Sequence, residues 1–300
     1  MMIQPIEFYA NLHLHSVFSD GVWTPEELAA KAKEEGYGAL ALTDHDTVSG
    51  CPRMKAAAEK EGLDWLFGCE FSVKEPQSVH ITAFDFDPEY PEMKAYLQFL
   101  SERMTNQTRA VFELAEKENA TFGLSWHDVT DTCPGVTWFC HEQVRQTFEK
   151  KGVLKRSEYY AWQHAHFSDQ LKLFPKPGKP LPLPELVRLI HEAGGIAVFA
   201  HPMYHLHYVE EVLSAGVDGI EVWHPDQKQP EAEMSLRIAL EKGLYISGGS
   251  DHSGLLGGSY GFYNTEYEIV RNGLYIPDHC CGTTRAFFEE LKHHKICREN

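Results

Sequence analysis

The chain has 300 residues, 43% hydrophobic and 24% charged, a balance that suits a globular protein with one large α/β domain or two small ones. Its formal net charge of −17 repels phosphate backbones and argues against an extended nucleic-acid partner. A nucleotide or short oligonucleotide stays open, because bound cations reverse the field around a site. No apolar run is long enough to span a bilayer, and the first residues lack the basic-then-apolar layout of a signal peptide. Seven cysteines in no regular framework fit reduced thiols, so a cytoplasmic, membrane-free protein is expected.

In chain order, Phe8 to Leu12 reads as a short extended run. Residues two apart on a strand share a side, so His13 and His15 project together from its end, an arrangement typical of metal ligands. Next comes a helix start: Thr24 as N-cap, Pro25 at the first helical position and Glu27 completing a capping box. Leu28, Ala29 and Ala32 form its apolar stripe, and Gly36 is its stop. Ala39 to Leu42 is a buried strand running into Thr43-Asp44-His45-Asp46. A helix from Pro52 to Glu61 stops at Gly62, and strands follow at Trp65 to Phe71 and Ser78 to Phe84.

The rhythm changes at Pro88. Met93, Leu97, Leu100, Met104, Val111 and Ala115 recur mainly at helical spacing, and no convincing strand follows before Pro182. The expectation is an inserted, mostly helical subdomain over 88–182, with 1–87 and 183–300 forming the main domain. Its aromatics Trp126, Trp138, Phe139 and Trp162 read first as a small core and second as a stacking surface for a base. Alternation then resumes. A helix from Pro184 to Ala193 leads to the strand Ile196 to Ala200 and His201-Pro202. A strand at Gly219 to Trp223, a helix at Ala232 to Lys242 and a strand at Leu244 to Ser247 complete the series, the last running into Gly248-Gly249-Ser250-Asp251-His252. Strands alternating with helices predict a parallel sheet closed into a barrel.

Ligand-type side chains stand where these strands finish: His13, His15, Asp44, His45, Glu70, His201, Asp251 and His252. In parallel barrels the carboxyl ends of strands meet at one face, so residues far apart in sequence converge there. Asp20, in the loop after the first strand, can fold back to the same place. Asp44 can either bind a metal or orient a ligand. His80, taken alone, reads first as a hydrogen-bonded core histidine. Together the set resists a bland reading, since burying so many ionisable groups without cations is costly. Nitrogen and oxygen donors without thiolate suit zinc, manganese or iron.

The ordered combination of Asn11-Leu12-His13-Leu14-His15-Ser16, Ser19-Asp20-Gly21, Leu42-Thr43-Asp44-His45-Asp46, Gly68-Cys69-Glu70, His80, His201-Pro202 and Gly248-Gly249-Ser250-Asp251 resembles the PHP (polymerase and histidinol phosphatase) family along nearly the whole chain. The resemblance implies a distorted (β/α)7 barrel, two or three divalent metal ions and phosphate-ester hydrolysis. The helical insertion resembles the stand-alone phosphoesterase subgroup. By that resemblance His13, His15 and Asp251 hold one metal, Asp20 and His45 a second, Glu70 bridges, and His80 with His201 completes a third site. Two departures stand out. Ser253 occupies the place where the family's Ser-Asp-any-His-Gly ending has histidine, with His252 one residue early. In the insertion, Phe139-Cys140-His141 replaces the usual Arg-Pro-His.

The expected substrate is a small phosphorylated molecule, first a nucleotide mono- or bisphosphate. His141, Arg103 and Arg109 are candidate substrate contacts, although the two arginines are six residues apart and point to different helix faces. The expected chemistry is in-line attack by a metal-bridged hydroxide, with His201 or His252 passing a proton to the leaving oxygen. The alternatives are an exonuclease on short oligonucleotides, a metal-dependent hydrolase of amides or lactones, and a non-enzymatic metal-binding module.

Overall fold

The computed structural model describes residues 7–76, 78–227, 229–251 and 281–296. In chain order the elements are β1 (Ala10–Asn11), α1 (Pro25–Glu34), β2 (Ala39–Leu42), α2 (Cys51–Glu61), β3 (Asp64–Val73), β4 (Val79–Phe84), α3 (Pro91–Lys117), α4 (Trp126–Thr132), α5 (His141–Lys150), α6 (Arg156–His166), α7 (Leu183–Glu192), β5 (Ile196–Phe199), α8 (Val209–Ser214), β6 (Gly219–Trp223), α9 (Gln229–Lys242), β7 (Tyr245–Gly248) and α10 (Arg285–Lys292). The Thr24 hydroxyl accepts from the Glu27 amide and Glu27 reaches back to Thr24, the capping box that starts α1.

The seven strands lie in sequential order from β1 to β7. The Leu12 amide donates to the Gly248 carbonyl at 3.1 Å and brings the first and last strands together. The fold is therefore a nearly closed, distorted barrel with helices around it. It departs from the all-parallel expectation at one strand. β4 pairs antiparallel with both β3 and β5, whereas every other neighbouring pair is parallel. Residues 74–78 are too few for a crossover connection, which needs a dozen or more residues, so the chain turns back as a hairpin. The reversal places the beginning of β4, rather than its end, at the rim where the parallel strands finish. His80 reaches that rim for this reason, paired in register with Ser72.

Period-two alternation divides the core into two layers. Ala39 and Ala41 of β2, with Ile196 and Val198 of β5, pack inside the barrel with Leu12, Leu66 and Phe84. Their alternates Leu40, Leu42, Ala197 and Phe199 face the helices, against Leu28, Met54, Leu186 and Ile190. The long helix α3 joins two cores: Met93, Tyr96, Leu97 and Leu100 pack on the barrel, while Val111, Phe112 and Ala115 pack with Val129, Val144, Phe148, Tyr159 and Trp162. Phe139 and Trp162 thus belong to an apolar core of the insertion, with Trp126 packed against it. Trp138 is a different case. It is buried outside that core and stacks on the His45 ring at the barrel mouth.

Candidate metal centre

The first pair of candidate ligands is positioned by a clasp between β1 and the segment that follows β7. Asn11 donates from Nδ2 to the Ser250 hydroxyl at 2.9 Å and accepts the Ser250 amide at 3.1 Å, which draws Asp251 toward His13 and His15. Gly249 lies against the His13 backbone so closely that a Cβ there would collide with it. His15 Nε2 lies 3.0 Å and His13 Nε2 3.6 Å from Asp251 Oδ1.

Asp20 is delivered by its loop. Asp44 accepts from the Ser16 amide and hydroxyl at 2.7 Å each and from the Ser19 hydroxyl at 2.5 Å, so its carboxylate anchors the turn that carries Asp20. Asp20 then faces His15 Nδ1 at 3.7 Å and His45 Nε2 at 3.8 Å.

Glu70 is the centre of the arrangement and is buried to 1% exposure. Its Oε2 lies 3.3 Å from His13, 3.2 Å from His15 and 3.2 Å from His45. Its Oε1 lies 3.0 Å from His80 Nδ1 and 2.9 Å from His201 Nε2. Five imidazoles thus surround one carboxylate. His201 sits in a left-handed conformation (φ 31°) two residues after β5, as does Asp251 (φ 48°) three residues after β7. Such backbone is unfavourable for residues other than glycine and is held here by its surroundings, since the His201 amide donates to Glu221 Oε2 at 2.6 Å.

Three sets of donors are close enough to share an ion: His13, His15 and Asp251; His15, Asp20 and His45; His45, Glu70 and His80. The donor atoms pass a stricter test of fit. His13 Nε2, both ring nitrogens of His15, His45 Nδ1 and Glu70 Oε2 are buried and make no hydrogen bond, although for all but His15 Nδ1 a neighbour lies within about 3.3 Å. Unpaired polar atoms that converge in this way fit donors that share an ion. With metal–donor bonds of 2.0–2.1 Å, tetrahedral ligands stand about 3.4 Å apart, close to the spacing seen here.

Electrostatics follow from this crowding. Burial opposes charge on His13, yet Glu221, Glu70 and Asp251 outweigh it and raise its pKa well above the usual imidazole value. His15 is raised in the same way, against burial, by Asp251, Glu70 and Asp20. Burial pushes the Asp251 carboxyl up, but His13, His15 and His224 hold it well below its ordinary value. The cage therefore contains charge that a cation can replace.

Two residues that sequence reasoning missed support these ligands. Glu221 Oε1 pairs with His13 Nδ1 at 3.0 Å, and His224 Nε2 with Asp251 Oδ2 at 3.1 Å. Both had a signal. Glu221 is a lone charge in the buried strand Gly219-Ile220-Glu221-Val222-Trp223, and His224-Pro225 repeats the strand-end His201-Pro202. Such outer partners fix ring orientation and tautomer in metal sites.

The insertion covers the same mouth. Gln143 Nε2 donates to the carbonyls of Ser19 (2.5 Å) and Val17 (3.0 Å), fastening α5 to the Asp20 loop. His141, the first residue of α5, is partly exposed, with Nδ1 3.4 Å from Glu142 Oε1, and burial lowers its pKa toward the neutral ring. Arg103 lies on α3 with Nε 3.4 Å from the Gly178 carbonyl. Arg109 is exposed and pairs with Glu113 one turn along α3, so the structure does not bring it into this group. His252 lies outside the described residues.

The chain is similar to several known proteins. A 5'-3' exoribonuclease of Haemophilus influenzae is 31% identical over 80% of the chain and 88% of its own length. A 3',5'-nucleoside bisphosphate phosphatase of Chromobacterium violaceum is 30% identical over 80% of the chain and 86% of its own length. The crystal structure of a predicted metal-dependent phosphoesterase from Bifidobacterium adolescentis superposes with a TM-score of 0.72 at 25% identity, covering 98% of this chain and 99% of that one. The PHP domain model matches residues 11–172, more than half of the chain, and with the full-length relatives it shows that the protein belongs to the PHP domain family.

Proposed function

We propose that this metal-dependent phosphoesterase hydrolyses a nucleotide bearing one or two phosphates. The observation that carries the reading is Glu70, ringed by five imidazoles whose inward atoms include several buried donors without hydrogen bonds. We assign His13, His15 and Asp251 to one ion and Asp20 and His45 to a second, with Glu70 shared and His80 and His201 completing the cage. Two or three zinc, manganese or iron ions suit these donors. Divalent ions bound there supply Lewis acidity for the phosphoryl oxygens and make water acidic enough to attack at neutral pH.

The chain's own residues do the rest. Glu221 and His224 hold the His13 ring and the Asp251 carboxylate in place. We assign His201 to the cage rather than to proton transfer, since its Nε2 is already against Glu70 and His80. His141 presents a neutral imidazole beside the Asp20 loop, placed to contact the phosphate or its leaving group. We place residues 88–182 as a substrate-covering lobe on a barrel formed by 1–87 and 183–300. Arg109 is left to the surface of that lobe.

The nucleotide assignment draws on the Chromobacterium relative's stated activity. A second reading, removal of nucleotides from the 5' end of short RNA, draws on the Haemophilus relative. The net charge of −17 favours the smaller substrate. A cytoplasmic setting suits the five described cysteines, all unpaired and buried, and no described helix is long and apolar enough to cross a membrane.

The test is a phosphate-ester panel run beside cyclic amides and lactones, with metal content measured on the same protein. The variant His13→Ala/His15→Ala is expected to lose turnover and bound metal while keeping its circular dichroism spectrum. Undiminished phosphatase activity in that variant refutes the assignment.

A further inference from the structure

Beyond β5 the chain turns sharply and leaves one aromatic side chain in solvent beside the cage. His201, left-handed at φ 31°, leads into the short helical turn Pro202–Tyr204, and the His205 amide closes that turn on the Pro202 carbonyl at 2.8 Å. Tyr204 packs against the His201 ring, with centroids 5.7 Å apart and planes tilted by 58°. His201 in turn has Nε2 2.9 Å from Glu70 Oε1. A single imidazole therefore links the tyrosine to the carboxylate at the centre of the cage.

The ring is held from a second side. The Tyr204 hydroxyl donates to Asp226 Oδ2 at 2.8 Å. The Asp226 amide donates to His224 Nδ1 at 3.1 Å, so Nδ1 is an acceptor and the neutral ring carries its proton on Nε2, which faces Asp251 Oδ2 at 3.1 Å. Tyr204 is thus tied both to His201 and, through Asp226 and His224, to Asp251. It is nevertheless 54% exposed. Fixing a side chain costs rotamer freedom that burial normally offsets, and here more than half of the surface stays in water. The other exposed large aromatics among the described residues, Phe122 and Tyr160, belong to the insertion and touch Phe148 and Tyr159 there. The insertion's tryptophans are engaged as well, Trp126 and Trp162 with its core and Trp138 with His45. Tyr204 combines what those aromatics lack: contact with a cage histidine, a fixed position and an open surface.

We propose that Tyr204 is the platform on which the base of the nucleotide stacks while the phosphate is held at the cage. The assignment rests on the nucleotide reading and names the residue that holds the other end of the substrate. A ring already fixed relative to the cage binds without a further ordering cost. Every base has a π-face, so such a platform accepts purine and pyrimidine nucleotides alike. The base is remote from the bond that breaks, so the contact acts mainly through KM.

The test compares the metal-loaded full chain with its variants Tyr204→Ala and Tyr204→Phe on adenosine 5'-monophosphate and on ribose 5-phosphate, which carries the same phosphate and sugar without a base. The unaltered protein is expected to favour the nucleotide in kcat/KM by about tenfold or more. In Tyr204→Ala that preference drops by about tenfold, chiefly through the KM of the nucleotide, and Tyr204→Phe, which keeps the ring, retains most of it. Uridine 5'-monophosphate is expected to follow adenosine 5'-monophosphate across the three proteins. An unchanged preference in Tyr204→Ala overturns the platform alone, as does an equal loss on nucleotide and ribose 5-phosphate. A Tyr204→Phe variant as impaired as Tyr204→Ala also overturns it, because the effect then lies in the hydroxyl tie to Asp226. An unaltered protein that shows no preference for the nucleotide, or hydrolyses neither substrate, overturns the nucleotide reading as well.

Discussion

Glu70 at the barrel mouth and Glu142 in the insertion are buried to the same degree, at 1% and 0% exposure, yet their surroundings push them in opposite directions. Burial raises the Glu70 pKa, but His13, His45 and His80 overcome it and hold the carboxyl well below its ordinary range. For Glu142 burial prevails and the pKa rises, even though Arg145 donates to it at 2.5 Å, because Asp20 adds repulsion. One guanidinium, itself shared with Glu149 at 2.6 Å, makes a structural pin. Five imidazoles around one carboxylate make a place for cations. Burial of a charge is therefore no sign of function; what separates the two sites is how many buried donor atoms remain without hydrogen bonds.

The comparison breaks first at Glu70. Glu70→Gln removes the carboxylate shared by the cage, and phosphatase activity is expected to fall about a thousandfold, the several kcal/mol that metal-ion catalysis provides. Metal stoichiometry by mass spectrometry should fall with it. Full activity with full metal content would reduce Glu70 to a mere counter-charge for the imidazoles. Glu221→Gln acts one shell out and should weaken metal binding by about ten- to a hundredfold in a chelator competition, with the fold unchanged.

Glu142→Gln sharpens the contrast from the other side. It should lower stability by about 1–2 kcal/mol in urea unfolding, with Arg145 still held by Glu149, and leave metal content intact. Loss of metal in that variant would show that the two buried carboxylates are coupled. The smallest effect is expected at Asp128. The Ser125 amide and hydroxyl of the α4 capping box, and then Lys151, lower its pKa below the ordinary 3.8. A carboxyl depressed in the folded state stabilises fully above the unfolded value, and that contribution is lost as the pH falls through the folded one. Asp128→Asn should therefore flatten the acid limb of the stability profile below about pH 4, measured by denaturation at stepped pH. An unchanged limb would show the cap to be inert.

Much of the cage is legible in the sequence because its candidate ligands stand at the ends of short apolar runs. His13 and His15 share a strand side by periodicity, and the Thr24–Glu27 capping box is a local signal that the structure reproduces. Asp44 illustrates what is not legible. Its position beside His45 leaves ligand and anchor equally open, and only the folded loop shows it accepting three hydrogen bonds from Ser16 and Ser19. Glu221 is harder still: its signal is a lone charge inside the buried strand β6, and nothing local says that it meets the His13 ring.

The sequence by itself determines which residues can act as donors, where strands begin and end, and the alternation that sends Ala39 and Ala41 inward and Leu40 and Leu42 outward. These are local properties, set by side-chain chemistry and a two-residue repeat. The tertiary structure alone decides that β4 runs backward and presents His80 at the rim, that β7 closes on β1 through Asn11 and Ser250, and that five imidazoles meet at Glu70. Those outcomes depend on hydrogen-bond register and packing between segments as much as 239 residues apart, for which no local repeat carries information.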